Sequence, residues 1–497
     1  MTRAAWVLAW RSLADRPARA ALLLAGYGVG VAVMIALLSV GQALLTEARD
    51  PDLAAGGDLA LLPEGIDPGV LAVNGVTGLY LTIPHAAFVV RDVLGGPRLG
   101  TLVAAAAPEL RDRQVYVRGR RGTALAIASA GVPSLDRAVG VPGAVPGAAD
   151  TASDRAWIDP ASDALYNQID RFHAPDRGAR AGWAEWDYFN FIDPASRTYG
   201  YLTLLAGGGG RGAVLFRLRR PGRAVEDITL AAPLDPGGVS TTSASQRIGP
   251  GRVWVESGVY RVTVRDRRLT ADLTVAPIRG QYLPPVQAAD RGLISGYVVP
   301  ALGASVSGTI RTEDASVRLA GAEGYHDHNW GTWRGVTWEW GEAYGPGGGL
   351  LYGALYSEGA SDAPVRPAAL FLWGPAGRGR EGFLGVFEIR HTVYAGWRDG
   401  PVLGGRAVRV PGTITLDAAA GADRLRVGIR VWDALASVPP VDPSRRGGRA
   451  APRAFLQLRT TAEVSGVVDG RPVRWSGEGA SETYVPAGRP TGGGPAR

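Results

Sequence analysis

The sequence predicts a mainly β protein: two antiparallel β-barrel domains preceded by a single N-terminal transmembrane helix and a small membrane-proximal region. Three observations carry this expectation. From about Trp157 onward, strand-length runs recur roughly every ten residues, separated by Gly, Pro and Asp. Gly (71) and Pro (35) are abundant, which favours many turns over long helices. A single stretch near the N-terminus, Ala20–Thr46, contains no charged residue and exceeds the roughly 20 apolar residues that span a bilayer core.

The apolar run comes first in the chain. Arg3, Arg11, Arg16 and Arg19 precede it, against a single Asp15, and Glu47, Asp50 and Asp52 follow it with Arg49. The positive-inside rule then puts residues 1–19 in the cytoplasm, makes 20–46 a single-pass anchor in the cell membrane, and sends the rest outside. Its length and the missing small-x-small site set it apart from a cleaved signal peptide. Residues 47–156 mix short apolar runs with Gly, Pro and Ala, and "AVGVPGAVPGAAD" (Ala138–Asp150) reads as a linker.

The remainder supplies the β domains. "TYGYLTLLA" (Thr198–Ala206), "AVLFRLRR" (Ala213–Arg220), "RVWVESGVYRVTVRD" (Arg252–Asp266), "RLRVGIRVWDAL" (Arg424–Leu435) and "AFLQLRTTAEVSGVVDG" (Ala454–Gly470) are strand-like. Several alternate polar and apolar residues, as half-buried antiparallel strands do. This length suits two β domains, 157–331 and 332–486, followed by a disordered tail, 487–497. "GGGG" at Gly207–Gly210 has no Lys-Ser/Thr sequel, so it is a turn and not a phosphate loop.

Composition narrows the function. The 497 residues are 46% hydrophobic and 20% charged, which excludes overall disorder. Every basic residue is Arg, and the net charge of +7 comes without a base-reading ribbon of Arg and aromatics, so no nucleic-acid partner is expected. The absence of Cys excludes disulfides, thiolate metal sites and Cys nucleophiles.

The densest chemistry lies in "GYHDHNWGTWRGVTWEWGEAYG" (Gly324–Gly345), which holds two of the five His and four of the fourteen Trp. As a strand, it puts Tyr325, Asp327 and Asn329 on one face and His326, His328 and Trp330 on the other. Two His at i, i+2 can share a metal, but a catalytic zinc takes three protein ligands. His173 and His391 are distant in the chain and ordinary in context, so no metal is expected. Asp327 with Tyr325 can act as an acid, because burial raises a carboxyl pKa and a protonated Asp can deliver a proton at neutral pH. Trp333, Trp338 and Trp340 offer π faces to a cation formed from an alkene. Capture of that cation by water is hydration; capture by another alkene is cyclisation. From the residues alone, a satisfied polar network inside a barrel is the weightier alternative. "GWAEWDYFNFIDP" (Gly182–Pro194) reads first as a barrel strand with an aromatic inward face; its functional reading is a pocket wall, with Glu185 as a candidate partner charge or second acid and Trp186 and Tyr188 as candidate pocket residues on the alternate face. Glu478 and Glu482, in "GEGASETYVP", read as structural residues of a final strand.

Two resemblances sharpen these readings. "AWRSLADRPARAALLLAGYGVGVAVMIALLSVGQAL" and the following "GGDLALLPEGI" resemble the first membrane segment and following region of MacB/FtsX-type ABC transporter permeases, although no second membrane run appears. "EWDYFNF", "GQYLPPV", "GLISGYVV" and "GYHDHNWG" with "WRGVTWEWGEAY" resemble the carotenoid 1,2-hydratase family and its AttH-type relatives. That resemblance covers about residues 157–486 and implies two lipocalin-like domains, no cofactor, and an apolar isoprenoid or lipid ligand. It implies that Asp327 donates a proton to a terminal double bond with help from Tyr325, and that His326, His328, Asn329 and Trp330 frame the site. Family hydratases also use a His and a Trp just upstream; "GLISGYVVP" (Gly292–Pro300) has neither. AttH-type relatives are associated with ABC export, which implies the alternative of a non-catalytic, lipid-binding accessory subunit beside a transporter ATPase and permease.

Overall fold

The computed structural model describes residues 58–62, 81–120, 122–141, 144, 146–160, 163–173, 182–290, 293–332, 336–357, 368–376, 380–403, 405–437 and 453–486. The expected membrane span at 20–46, the tail at 487–497 and Trp333 lie outside these residues. Among the described residues, no helix is long and apolar enough to cross a membrane.

The chain divides into two compact units. The first takes Met1–Leu81 and Ala105–Asp150. Its described part is a hairpin of β1 (Glu109–Gly119) and β2 (Gly122–Gly131) and a short helix, Pro133–Val139, ended by Gly140 in the left-handed conformation. The second unit takes Thr82–Ala104 and Thr151–Arg497. Residues 82–104 therefore pack with the β domains and not with the membrane-proximal region to which the sequence reading assigned them. A helix at Ile83–Phe88, α1, explains this. Phe88 stands edge-on to Tyr282 and Phe383 at 5.4 and 5.1 Å, and Arg98 pairs with Asp423 and Asp469 at 2.8 and 2.7 Å.

The helix at Pro133–Val139 is α2. The second unit continues with α3 (Ala152–Ile158) and α4 (Ala164–Ile169) and then turns to strands. β3 (Trp183–Asp193), β4 (Thr198–Gly207), β5 (Arg211–Arg219), β6 (Glu226–Pro233), β7 (Ser245–Ile248), β8 (Gly251–Glu256), β9 (Val259–Arg265), β10 (Leu269–Pro277), β11 (Leu283–Asp290), β12 (Leu293–Thr312) and β13 (Ser316–Thr332) build the first sheet. Its order is β6-β5-β4-β3-β13-β12-β10-β9-β8-β7, with β11 on β12, a nearly closed antiparallel meander. β14 (Val336–Gly345), β15 (Gly348–Ser357), β16 (Ala369–Ala376), β17 (Arg380–Ala395), β20 (Thr413–Ala420), β21 (Asp423–Ser437), β22 (Arg453–Val468) and β23 (Arg471–Pro486) close an eight-stranded barrel, up-and-down in order like a lipocalin's. The ribbon of β18 (Arg398–Leu403) and β19 (Arg406–Val410) interrupts it.

Period-two patterning places the cores. In β9, Tyr260, Val262 and Val264 are buried; in β21, Leu425, Val427, Ile429 and Val431 are buried between outward Arg424, Arg426 and Arg430. The run Arg252–Asp266, continuous in the sequence reading, is broken at Ser257-Gly258. Both residues have positive φ (56° and 76°), as a two-residue hairpin turn requires. Gly207–Gly210 likewise turns β4 into β5, with Gly209 and Gly210 at φ 80° and 75°.

Candidate functional site

The register of β3, β13 and β12 builds the site. Asp327 lies opposite Tyr188, Asn329 opposite Trp186 on one side and opposite Tyr297 on the other. Directly opposed residues share a face. Tyr325, Asp327, Asn329, Trp186, Tyr188 and Tyr297 therefore project together, away from the first sheet's apolar interior. His326, His328, Trp330, Glu185, Asp187 and Phe189 project the other way. Each face forms its own constellation.

The first face is one wall of a cavity of about 810 Å³, whose other wall comes from β14, β15, β22 and β23 of the closed barrel. This volume is that of a site for a small organic ligand. Of the residues expected from sequence, Asp327, Asn329, Trp186, Tyr188, Trp338 and Trp340 line it. The cavity is largely apolar and aromatic, with Leu205, Leu215, Leu355, Phe371 and Phe455 among its lining.

Asp327 is fully buried in this wall, and burial pushes its carboxyl up to about 8. The Tyr325 hydroxyl bonds to Asp327 Oδ2 at 2.8 Å, and Asn329 donates to Oδ1 at 2.8 Å. Behind them runs a chain: Trp340 Nε1 donates to the Tyr297 hydroxyl (2.8 Å), which meets the Tyr325 hydroxyl at 2.7 Å. The two phenolic protons can point toward or away from Asp327, so the chain fits both the protonated and the ionised carboxyl. An acid that delivers and regains a proton needs this property.

The second constellation corrects the sequence reading of Glu185, His326, His328 and Trp330, none of which lines the cavity. They join Asp170 and His173, which follow α4, and Asp187 and Tyr260. His326 directs Nδ1 to the Tyr188 carbonyl (3.0 Å) and Nε2 to Asp170 Oδ2 (3.0 Å). His328 directs Nδ1 to Asp170 Oδ1 (2.6 Å) and Nε2 to Glu185 Oε1 (2.8 Å). All four contacts are acceptors, so both rings are imidazolium ions. Burial alone would lower both pKa values, but the facing carboxylates outweigh it and raise them, that of His328 well above its ordinary value. Asp170, which also accepts from Tyr260 (2.8 Å), is held far below the usual carboxylate range by the two imidazoliums; Glu185 is lowered by His173 and His328. Two cations face two anions. Asp187 is the surplus acid, and burial raises it to about 7.

His173, read from sequence as remote, stacks on Trp330 with ring centroids 3.6 Å apart and meets Glu185 Oε1 at 3.2 Å. Gly296 makes room for that stack, since a Cβ there would come within 1.9 Å of the Trp330 ring. His173, Glu185 and His328 form one group whose donor atoms lie within 4.8 Å of one another, and Asp170, Asp187 and His328 form another. These are the residues that could hold a cation, but only if His328 gave up a proton that already has a carboxylate partner.

The shifted groups set the pH dependence of stability. Asp327 (about 8), Asp187 (about 7) and Glu342 (about 7) keep protons in the native state that the unfolded chain releases near pH 4. His326 and His328 likewise retain protons that unfolded His loses near 6.5. The native state thus binds more protons between pH 4 and 8, so stability falls as pH rises through that window. Asp170 and Glu185, shifted down, contribute fully above their unfolded values and lose this only in acid. His85 and His173, shifted down, oppose the trend. Five groups outweigh two, so the urea midpoint should lie higher at about pH 5.5 than at about pH 8.5; a rise toward pH 8.5 would contradict these assignments.

Sequence reasoning missed Tyr297, Gln457 and Glu482 as cavity residues. The signal for Glu482 was present: in a closed barrel the last strand pairs with the first, and Glu482 falls opposite Trp340.

Fold and site together define a protein of two antiparallel β domains, one a nearly closed sheet and one a closed eight-stranded barrel, with an aromatic cavity and a buried acid between them. No family model matches the chain, and no curated protein matches it. The chain is similar to solved structures that it covers over nearly their whole length, among them the following. CghA has a TM-score of 0.43 and 13% identity, covering 65% of this chain and 96% of its own. A putative AttH from Nitrosomonas europaea has a TM-score of 0.41 and 14% identity, covering 64% and 97%. Kievitone hydratase from Nectria haematococca has a TM-score of 0.40 and 12% identity, covering 66% and 96%. Likenesses this distant carry no argument about the activity of this chain.

Proposed function

We propose that this protein holds an apolar isoprenoid or lipid ligand in the cavity between its barrels and protonates one of its double bonds from Asp327. The observation that carries this reading is a fully buried carboxyl, raised to about 8, set on a reversible tyrosine chain in the wall of an aromatic cavity. A proton donated to an alkene leaves a carbocation. Trp186, Trp338 and Trp340 line the same space, and indole faces attract positive charge. Water then completes a hydration, or a second double bond of the ligand a cyclisation.

The uncharged run at 20–46 and its flanking charges support a single-pass protein, with its N-terminus cytoplasmic and its barrels outside the cell membrane. That placement suits a ligand drawn from the bilayer. A second reading, a non-catalytic lipid-binding accessory subunit of an ABC export system, is favoured by the permease-like N-terminal run, since holding a lipid needs the cavity but no acid.

Native mass spectrometry with lipid extraction, on protein purified from its own membrane, tests the ligand. A co-purifying polyene or prenyl lipid, accompanied by a species heavier by one water or by a cyclised isomer, is the expected result. A folded protein carrying only saturated lipid would overturn the acid reading and favour the accessory one.

A further inference from the structure

We propose that Glu482, on the final strand of the closed barrel, is the second catalytic residue of the cavity: the base that takes a proton from the water captured by the cation. This rests on the reading of Asp327 as acid and adds what that reading lacks, a group to activate water.

Glu482 lines the cavity from the barrel opposite Asp327, and its charge is felt at Asp327. Both of its oxygens accept from N–H groups: Trp338 Nε1 reaches Oε2 at 2.9 Å, and Gln457 Nε2 reaches Oε1 at 3.1 Å. The Gln457 carbonyl is itself held by Arg217 (2.9 Å), which turns the Gln457 amide nitrogen toward Glu482, and Arg217 is anchored by Asp227 (3.0 Å). Donors on both oxygens favour the carboxylate, while burial raises its basicity. Asp327, with a reversible phenol on one oxygen, suits the protonated form. Burial raises both carboxyls, and their partners tell them apart: Glu482 faces only N–H donors, whereas Asp327 has on Oδ2 a hydroxyl that can also accept its proton. The Tyr188 hydroxyl also lines the cavity, is buried without a hydrogen-bond partner, and feels the charges of both Glu482 and Asp327. It marks a place for the water. Glu339, another buried carboxyl of the lining, is engaged with Tyr394 instead.

The step balances. The Asp327 O–H bond breaks as the alkene π pair forms a C–H bond. A water oxygen forms the C–O bond to the cationic carbon, and its proton passes to Glu482. Glu482 then releases that proton and Asp327 regains one from solvent, so alkene and water become alcohol.

The test uses the full-length protein and squalene in D2O, scoring both alcohol formation and deuterium in recovered alkene. Wild type is expected to give both, and D327N neither. E482Q should still exchange deuterium into the alkene, because protonation and its reversal need only Asp327, but should lose alcohol by roughly 100-fold or more. E482D, which keeps the charge, should recover part of it. The acid limb of the pH–rate profile should vanish in E482Q while the limb near 8 remains. Alcohol formation by E482Q at the wild-type rate would overturn the role of Glu482 and leave that of Asp327 standing. Neither product from wild type would overturn both.

Discussion

Replacing Asp327 with Asn is expected to abolish turnover while the ligand still binds. The substitution is close to isosteric with the protonated Asp. Its carbonyl oxygen can accept from Asn329, as Asp327 Oδ1 does at 2.8 Å, and its amide nitrogen can donate to the Tyr325 hydroxyl that pairs with Oδ2, so the cavity wall keeps its shape. What disappears is the proton. Acid catalysis by a positioned side chain contributes roughly 100- to 10,000-fold, so kcat should fall by about that factor with little change in ligand affinity. In the wild type, the rate should fall as pH rises through about 8, where Asp327 ionises. The mutant should lack that limb. Full turnover by the Asn variant would dismiss Asp327 as the donor.

The second large effect concerns stability. Asp170→Ala should cost about 3–5 kcal/mol in urea unfolding, the range for removing one partner of a buried ion pair. Asp170 faces both imidazoliums, 3.0 Å from His326 and 2.6 Å from His328, with Tyr260 on the same oxygen as His326. Removing it leaves two buried cations with Glu185 as their remaining anion. The loss should shrink as pH rises, because the stranded rings can then become neutral. A loss independent of pH, or under about 1 kcal/mol, would mean that the rings are not both charged.

Local order was legible in the sequence; long-range pairing was not. Strand alternation through "GYHDHNW" separates Asp327 from His326 and His328, and the folded chain gives those two faces to different sites. Trp186 and Tyr188 could be assigned to one face of "EWDYF" by the same rule. Alternation alone does not say which face is the cavity wall. Glu185 was therefore drawn to the ligand, whereas the register of β3 against β13 turns it to His328 at 2.8 Å. Asp170 and His173 had no sequence signal, because they follow a six-residue helix whose docking depends on contacts far along the chain, such as Asn167 to Ala244 and Phe172 to Ser240. Glu482 looked structural because the partner of a last strand is visible only once the barrel closes.

Infrared difference spectroscopy of the wild type against D327N measures directly, without a known ligand, whether Asp327 is a neutral acid at physiological pH. The expected result is a protonated-carboxyl band at neutral pH that is absent from the variant and disappears from the wild type as pH passes about 8. A carboxylate signal for Asp327 already present at pH 6 to 7, well below that value, would show that it is not a neutral acid and so cannot be the proton donor.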